Sequence, residues 1–233
     1  MGKDKTRPSL KPFNEWQEEL SVGKKHTVIQ RGDIVLVSGE DVSDIPGVVG
    51  AMVSVATRSH FYHAIIYDRG WRFIHAEIPK VESDNLDAAY FGKSKIALTW
   101  VRPRRPDSRP IPAADTGKVI QFAEEQIGKP YDFLATISFV MRSDGLAEIH
   151  LPLRKYFRYR NWLQDDDKWY CSELAGAAWY NGAGVIFVDE TKNKTYLSPA
   201  DIYDSLYQDV VCTLKVHEGK FILLTKASLE KPT

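Results

Sequence analysis

Hydrophobic and polar positions along the chain alternate between two rhythms. The run DIVLVS at 33–38 is apolar over Ile34 to Val37, which predicts a fully buried strand, and HTVIQRGDIVLVSG reads as strand, turn and strand about Gly32-Asp33. Apolar residues at helical spacing predict a helix near 47–57. FYHAIIYDRGWRFIHAEI gives two β-rich runs around Asp-Arg-Gly, a hairpin signal, and SKIALTWVRP a further strand ended by Pro103. In TGKVIQFAEEQIG, Val119, Ile120, Ala123 and Ile127 share one helical face and Gly128 closes it. Helices are expected after KPYD at 129–132, over YCSELAGAAWYNGAG, and from LSPADIYDSL, where Ser198-Pro199 is a cap followed by a first-turn proline. VVCTLKVHEGKFILLTK predicts a closing hairpin. Residues 1–25 read as a polar N-terminal arm with a short helix at NEWQEEL, and residues 26–233 as one α+β domain, an antiparallel sheet packed against helices.

Composition narrows the class. The chain has 233 residues, 43 % hydrophobic and 27 % charged, an ordinary globular profile. Lys+Arg and Asp+Glu both number 31, so no global basic field favours nucleic acid. The apolar runs are strand-length, too short to span a bilayer, and no apolar core of a secretory signal is seen near the N-terminus. MGKDKT fits the loose myristoylation pattern. No HExxH and no CxxC stands in the chain, so neither a metal nor a cofactor is expected. RPRRPDSRP reads as a solvated loop and LPLRKYFRYRNW as a basic-aromatic segment, either lining a cleft or forming a solvated surface helix.

Two cysteines make no disulfide scaffold. Cys212 alternates with apolar neighbours and reads as core. Cys171 stands at the start of a small-residue helix, where backbone N–H groups favour a thiolate and lower the thiol pKa. A nucleophile needs a base and an orienting group. Of six histidines, His63 and His75 fall near one another across the predicted hairpin. They are either a base with its orienting partner or two half-buried strand residues.

The ordered pieces RGDIVLV, FYHAIIYDRGWRFIHA, GKPYDF, WYCSELAGAAW and LSPADIYDS resemble the circularly permuted NlpC/P60 hydrolases of the papain-like superfamily, the YiiX/YebB-like group, over roughly residues 30 to 206. That resemblance implies a papain-like partial barrel packed against helices. It implies Cys171 as nucleophile, His63 as general base and His75 as the orienting residue, with Glu77 in reserve because many relatives carry Glu there. Tyr131 and Asp132 would shape the site, and Tyr62 or Tyr170 would help bind an oxyanion beside the Cys171 backbone N–H. It implies cleavage of amide bonds in peptidoglycan stem peptides. The related lecithin:retinol acyltransferase-like branch points instead to acyl transfer or thioester hydrolysis, and an idle binding module is the third alternative. Without a visible signal peptide, the expectation is a protein cytoplasmic as made. An effector toxin exported on a secretion-system carrier to the periplasm, with an immunity protein as partner, fits that pattern, as do a phage product and a cytoplasmic enzyme on another substrate.

Overall fold

The computed structural model describes residues 29–39, 45, 48–70, 72–86, 90, 95–107, 109–142, 167–188, 197–217 and 220–225. The N-terminal arm, the basic-aromatic segment at 151–162, His26 and His150 lie outside them. The elements run β1 (Ile34–Gly39), α1 (Val48–Thr57), β2 (Phe61–Arg69), β3 (Arg72–Glu77), β4 (Lys80–Asn85), β5 (Ile96–Pro103), α2 (Ala113–Glu125), α3 (Phe133–Arg142), α4 (Cys171–Ala183), α5 (Pro199–Asp204), β6 (Gln208–His217) and β7 (Lys220–Thr225).

The strands form one antiparallel sheet of seven in the order β4-β3-β2-β1-β5-β6-β7. Its two edge strands do not meet, so the sheet is open, where a partial barrel was expected. The central strand β1 is apolar without alternation because both faces of the sheet are covered. Ile34 and Leu36 join Ala64, Ile66, Ile74 and Ala76 under α2 and α4, while Val35 and Val37 join Ile65, Phe73, Leu98 and Trp100 on the other side. All four β1 residues are fully buried. At roughly 1.5–3 kcal/mol for each large apolar side chain removed from water, this strand is a principal anchor of the fold.

Gly32 and Asp33 prepare that strand. Gly32 has φ +91°, and a Cβ there would stand 2.6 Å from Thr116 Cγ2. Its carbonyl accepts from Trp179 Nε1 of α4 at 3.0 Å. Asp33 is buried and accepts a two-pronged pair from Arg102 of β5, both contacts at 2.9 Å. At the β2–β3 turn, fully buried Asp68 gathers Arg31, Arg69 and Arg72 at 2.7, 3.6 and 3.3 Å. The Gly-Asp pair is thus structural, joining two strands and the cysteine helix.

Two sequence expectations change, and one strand was not foreseen. Ile29 and Gln30, the described part of the first expected strand, are not strand. Ile127 lies beyond the end of α2 and is 42 % exposed, because the chain leaves the helix at Gln126 before that face recurs. The charged stretch KVESDN forms edge strand β4, which needs one buried residue, Val81, rather than an apolar alternation.

Candidate active site

The helix carrying Cys171 is placed from both ends. Gly184 adopts φ +68° just after it and its N–H bonds back to Tyr180 O. At the other end, GKPYD is threaded between β4 and the residues before the helix. Val81 N–H donates to Lys129 O at 2.8 Å, Tyr131 N–H to Pro79 O at 2.9 Å, and Asp132 N–H to Trp169 O at 3.0 Å. The buried Asp132 carboxylate accepts from Ala135 N–H at 2.8 Å and starts α3. Ser172 Oγ donates to Leu197 O at 2.6 Å, tying the first turn to the residue before the Ser198 cap. That cap is a full capping box with Asp201.

Cys171 is 6 % exposed. The backbone N–H groups of Ala64, Ser172 and Cys171 itself act on the sulfur and favour its thiolate, but burial outweighs them and pushes the thiol up to about 11. The expected lowering by a helix start is therefore overturned: the N–H donors are there, yet the sulfur is shut from water. Ala64 is the residue after His63, so the thiol meets β2 beside the expected base. The β2–β3 ladder runs from the turn only as far as Ile66 and Ile74.

His63 and His75 lie beyond that last pair. His63 Nε2 stands 2.9 Å from His75 Nδ1, and the rings meet edge to face with centroids 5.2 Å apart. His63 is 9 % and His75 1 % exposed. Phe73, two residues back on the same face, fixes the His75 ring at a centroid distance of 4.7 Å. Glu77 Oε2 lies 3.6 Å from His75 Nδ1, and Glu82 Oε1 lies 3.9 Å from His75 Nε2. Glu82 sits opposite His75 in the β3–β4 register. Both candidates for the third position, His75 and Glu77, thus stand within 3.6 Å of one another.

Tyr131 comes near the thiol: the Cys171 charge is among the causes that raise its pKa, after burial. Its hydroxyl accepts from Thr136 Oγ1 at 3.1 Å. Tyr62 is buried, raised by burial and by Glu77, and its hydroxyl has no hydrogen-bond partner among the described residues. Tyr170 is buried at the cap position before Cys171 and makes no side-chain capping bond. Cys212 is fully buried among apolar side chains, as expected. His60 is exposed.

Sequence reasoning missed two contributors. Tyr90 is 4 % exposed, packs on Phe73 at 5.9 Å and feels Glu77 and Cys171. It stands outside any periodic run, so nothing local marked it. Glu82 was hidden in the unrecognised edge strand, and the spacing from His75 through a two-residue turn would have found it. Along the outer face of α4 lies an apolar cavity of about 190 Å³ bordered by Trp169, Glu173, Ala177, Phe187 and Leu197.

No family model matches this chain, and no curated protein matches it. Among solved structures, it is similar to the metalloprotein yiiX from Escherichia coli O157:H7. The identity is 17 % and the TM-score 0.48, with 78 % of this chain and 95 % of that chain covered. No helix of the described residues is long and apolar enough to cross a membrane.

Proposed function

We propose that this protein is a cysteine hydrolase that cleaves an amide bond, with peptidoglycan stem peptides as its leading substrate and a permuted papain-like arrangement of its site. The observation that carries the reading is the position of the buried Cys171 thiol on the Ala64 N–H, one residue from a His63 whose Nε2 is 2.9 Å from His75 Nδ1. In this reading His63 Nε2–H donates to His75 Nδ1. That leaves the His63 Nδ1 lone pair to take the thiol proton as sulfur attacks the carbonyl carbon. His75 then carries its own proton on Nε2, toward the Glu82 carboxylate. The oxyanion draws on the Cys171 backbone N–H and on the Tyr62 hydroxyl. Protonated His63 returns its proton to the leaving amine, and water releases the acyl group from sulfur.

Because the thiol is held high, the proton leaves during attack and not beforehand. The expected catalytic set is Cys171, His63 and His75, with Glu77 in reserve for the third position. The stem-peptide substrate and an exported effector role belong to the same proposal. The apolar cavity along the outer face of α4 favours one second reading, acyl transfer or thioester hydrolysis with an acyl chain in that cavity.

The test is digestion of purified peptidoglycan by wild type and Cys171→Ala, with fragments identified by mass spectrometry. Cut stem peptides from wild type alone are expected. Intact wall with both proteins, together with turnover of an acyl thioester by wild type, would move the assignment to the second reading.

A further inference from the structure

The same imidazole pair has a second chemistry. One nitrogen of His63, one of His75 and one carboxylate oxygen of Glu77 all lie within 4.8 Å of one another. Two of the separations are 2.9 Å, between His63 Nε2 and His75 Nδ1, and 3.6 Å, between His75 Nδ1 and Glu77 Oε2. Nitrogen and oxygen ligands at 2.0–2.2 Å from a tetrahedral zinc ion stand about 3.3 Å apart. Those two separations bracket that figure and the third is under 4.8 Å, so side-chain rotations bring the three donors onto one ion. Two neutral imidazoles and one carboxylate form a donor set suited to zinc, with a fourth position left for water. The support around it also fits. His75 Nε2 faces the Glu82 carboxylate at 3.9 Å, the position from which a carboxylate orients a ligating histidine. Phe73 packs on the His75 ring. The ligands come from two strands, at positions 63, 75 and 77, so no helical metal motif announces them.

We infer that His63, His75 and Glu77 form a divalent-metal site of zinc type, and that filling it switches off the thiol chemistry by fixing the wrong tautomer of His63. The coupling rests on the cysteine-hydrolase reading; the metal site does not. A zinc ion takes the lone pair of His63 Nε2, so the proton formerly there must sit on Nδ1. No net proton is released: it moves from one ring nitrogen to the other through solvent. His63 Nδ1–H then has no lone pair with which to accept the Cys171 proton. Removing the metal restores Nε2–H, its bond to His75, and the base.

The test uses the full chain without an affinity tag, stripped of metal and titrated with zinc against a chromophoric chelator. One zinc per chain at micromolar affinity or tighter is expected. Glu77→Gln, at a half-exposed position that tolerates the change, and His75→Gln should each weaken binding at least ten-fold, roughly the lower bound for loss of even an outer partner of a ligand. Cys171→Ala should bind as wild type does. Long-range ¹H–¹⁵N spectra of the imidazoles should show His63 passing from Nε2–H to Nδ1–H as zinc is added, and chelation should reverse it. Absence of stoichiometric binding, or binding untouched by both ligand substitutions, would overturn the site. Binding with an unchanged His63 tautomer would overturn the switch. Failure of the hydrolase reading looks different: zinc binds as described, yet the metal-free protein cleaves no wall peptide.

Discussion

Cys171 shows how burial and local dipoles compete on a single side chain. A helix start supplies N–H groups that favour negative charge, and the sulfur also meets the Ala64 N–H from the sheet. Desolvation nevertheless dominates and lifts the thiol to about 11. A pre-formed thiolate would react with iodoacetamide at a rate that levels off near neutral pH. Here the native rate at Cys171 should rise close to ten-fold per pH unit from 7 to 10 with no plateau, because the thiolate fraction does so. Mass spectrometry of the alkylated peptide, read against pH, checks this; a plateau below pH 8 would show that His63 already holds the proton. Cys212, fully buried and pushed up to about 12, should stay unlabelled until the protein is unfolded.

Helix α4 holds the nucleophile, and its seat depends on a residue with no side chain. A Cβ at Gly182 would lie 2.4 Å from Val119 N and 2.6 Å from Val119 Cα, so α4 and α2 touch backbone to backbone there. Neither backbone can yield without shifting a helix. Gly182→Ala should therefore destabilise by about 1–3 kcal/mol, the usual cost of overpacking. Gly117, on α2, has nothing within 4 Å of its missing Cβ. Gly117→Ala should stabilise by about 0.5–1 kcal/mol through the helix-interior preference for alanine. Thermal melts of the two variants should thus move in opposite directions, and a shared direction would disprove the close helix contact. The elements themselves were legible where their signals are local. Ser198, Pro199 and Asp201 announce α5 because a capping box needs only neighbours. Gly184 announces the end of α4 because only a left-handed residue serves there. The strand β4 was not legible, since an edge strand needs little apolar surface and Lys80, Glu82 and Asp84 disguise it.

At the scale of the whole molecule, the pKa shifts set a pH limit on stability. Cys171 and Cys212 are raised from 9.0 to about 11 and about 12, and burial likewise raises Tyr62, Tyr67, Tyr90 and Tyr131 from 10.0. For an acid whose folded pKa exceeds its unfolded one, the neutral form is the one the fold favours. Its contribution is complete below pH 9 and is lost as pH climbs through the window from 9 to 12. The urea midpoint should be lower at pH 10 than at pH 7, and Cys212→Ala should shrink that difference. Equal midpoints at the two pH values in wild type would contradict the burial of these groups.

The sequence by itself determined most of the elements, β4 excepted, and the nearness of His63 to His75, because a hairpin through Asp-Arg-Gly brings positions 63 and 75 together whatever surrounds it. It marked Cys171 by its place at a helix start and Cys212 by its apolar neighbours. Only the tertiary structure decided that the sheet stays open, that the Ala64 N–H of β2 acts on the thiol, and that Tyr90 and Glu82 stand beside the histidine pair. It also reversed the expected thiol pKa, because desolvation depends on every element packed around an atom. Chain neighbours fix dihedrals, caps and turns; the exclusion of water is a property of the assembled fold.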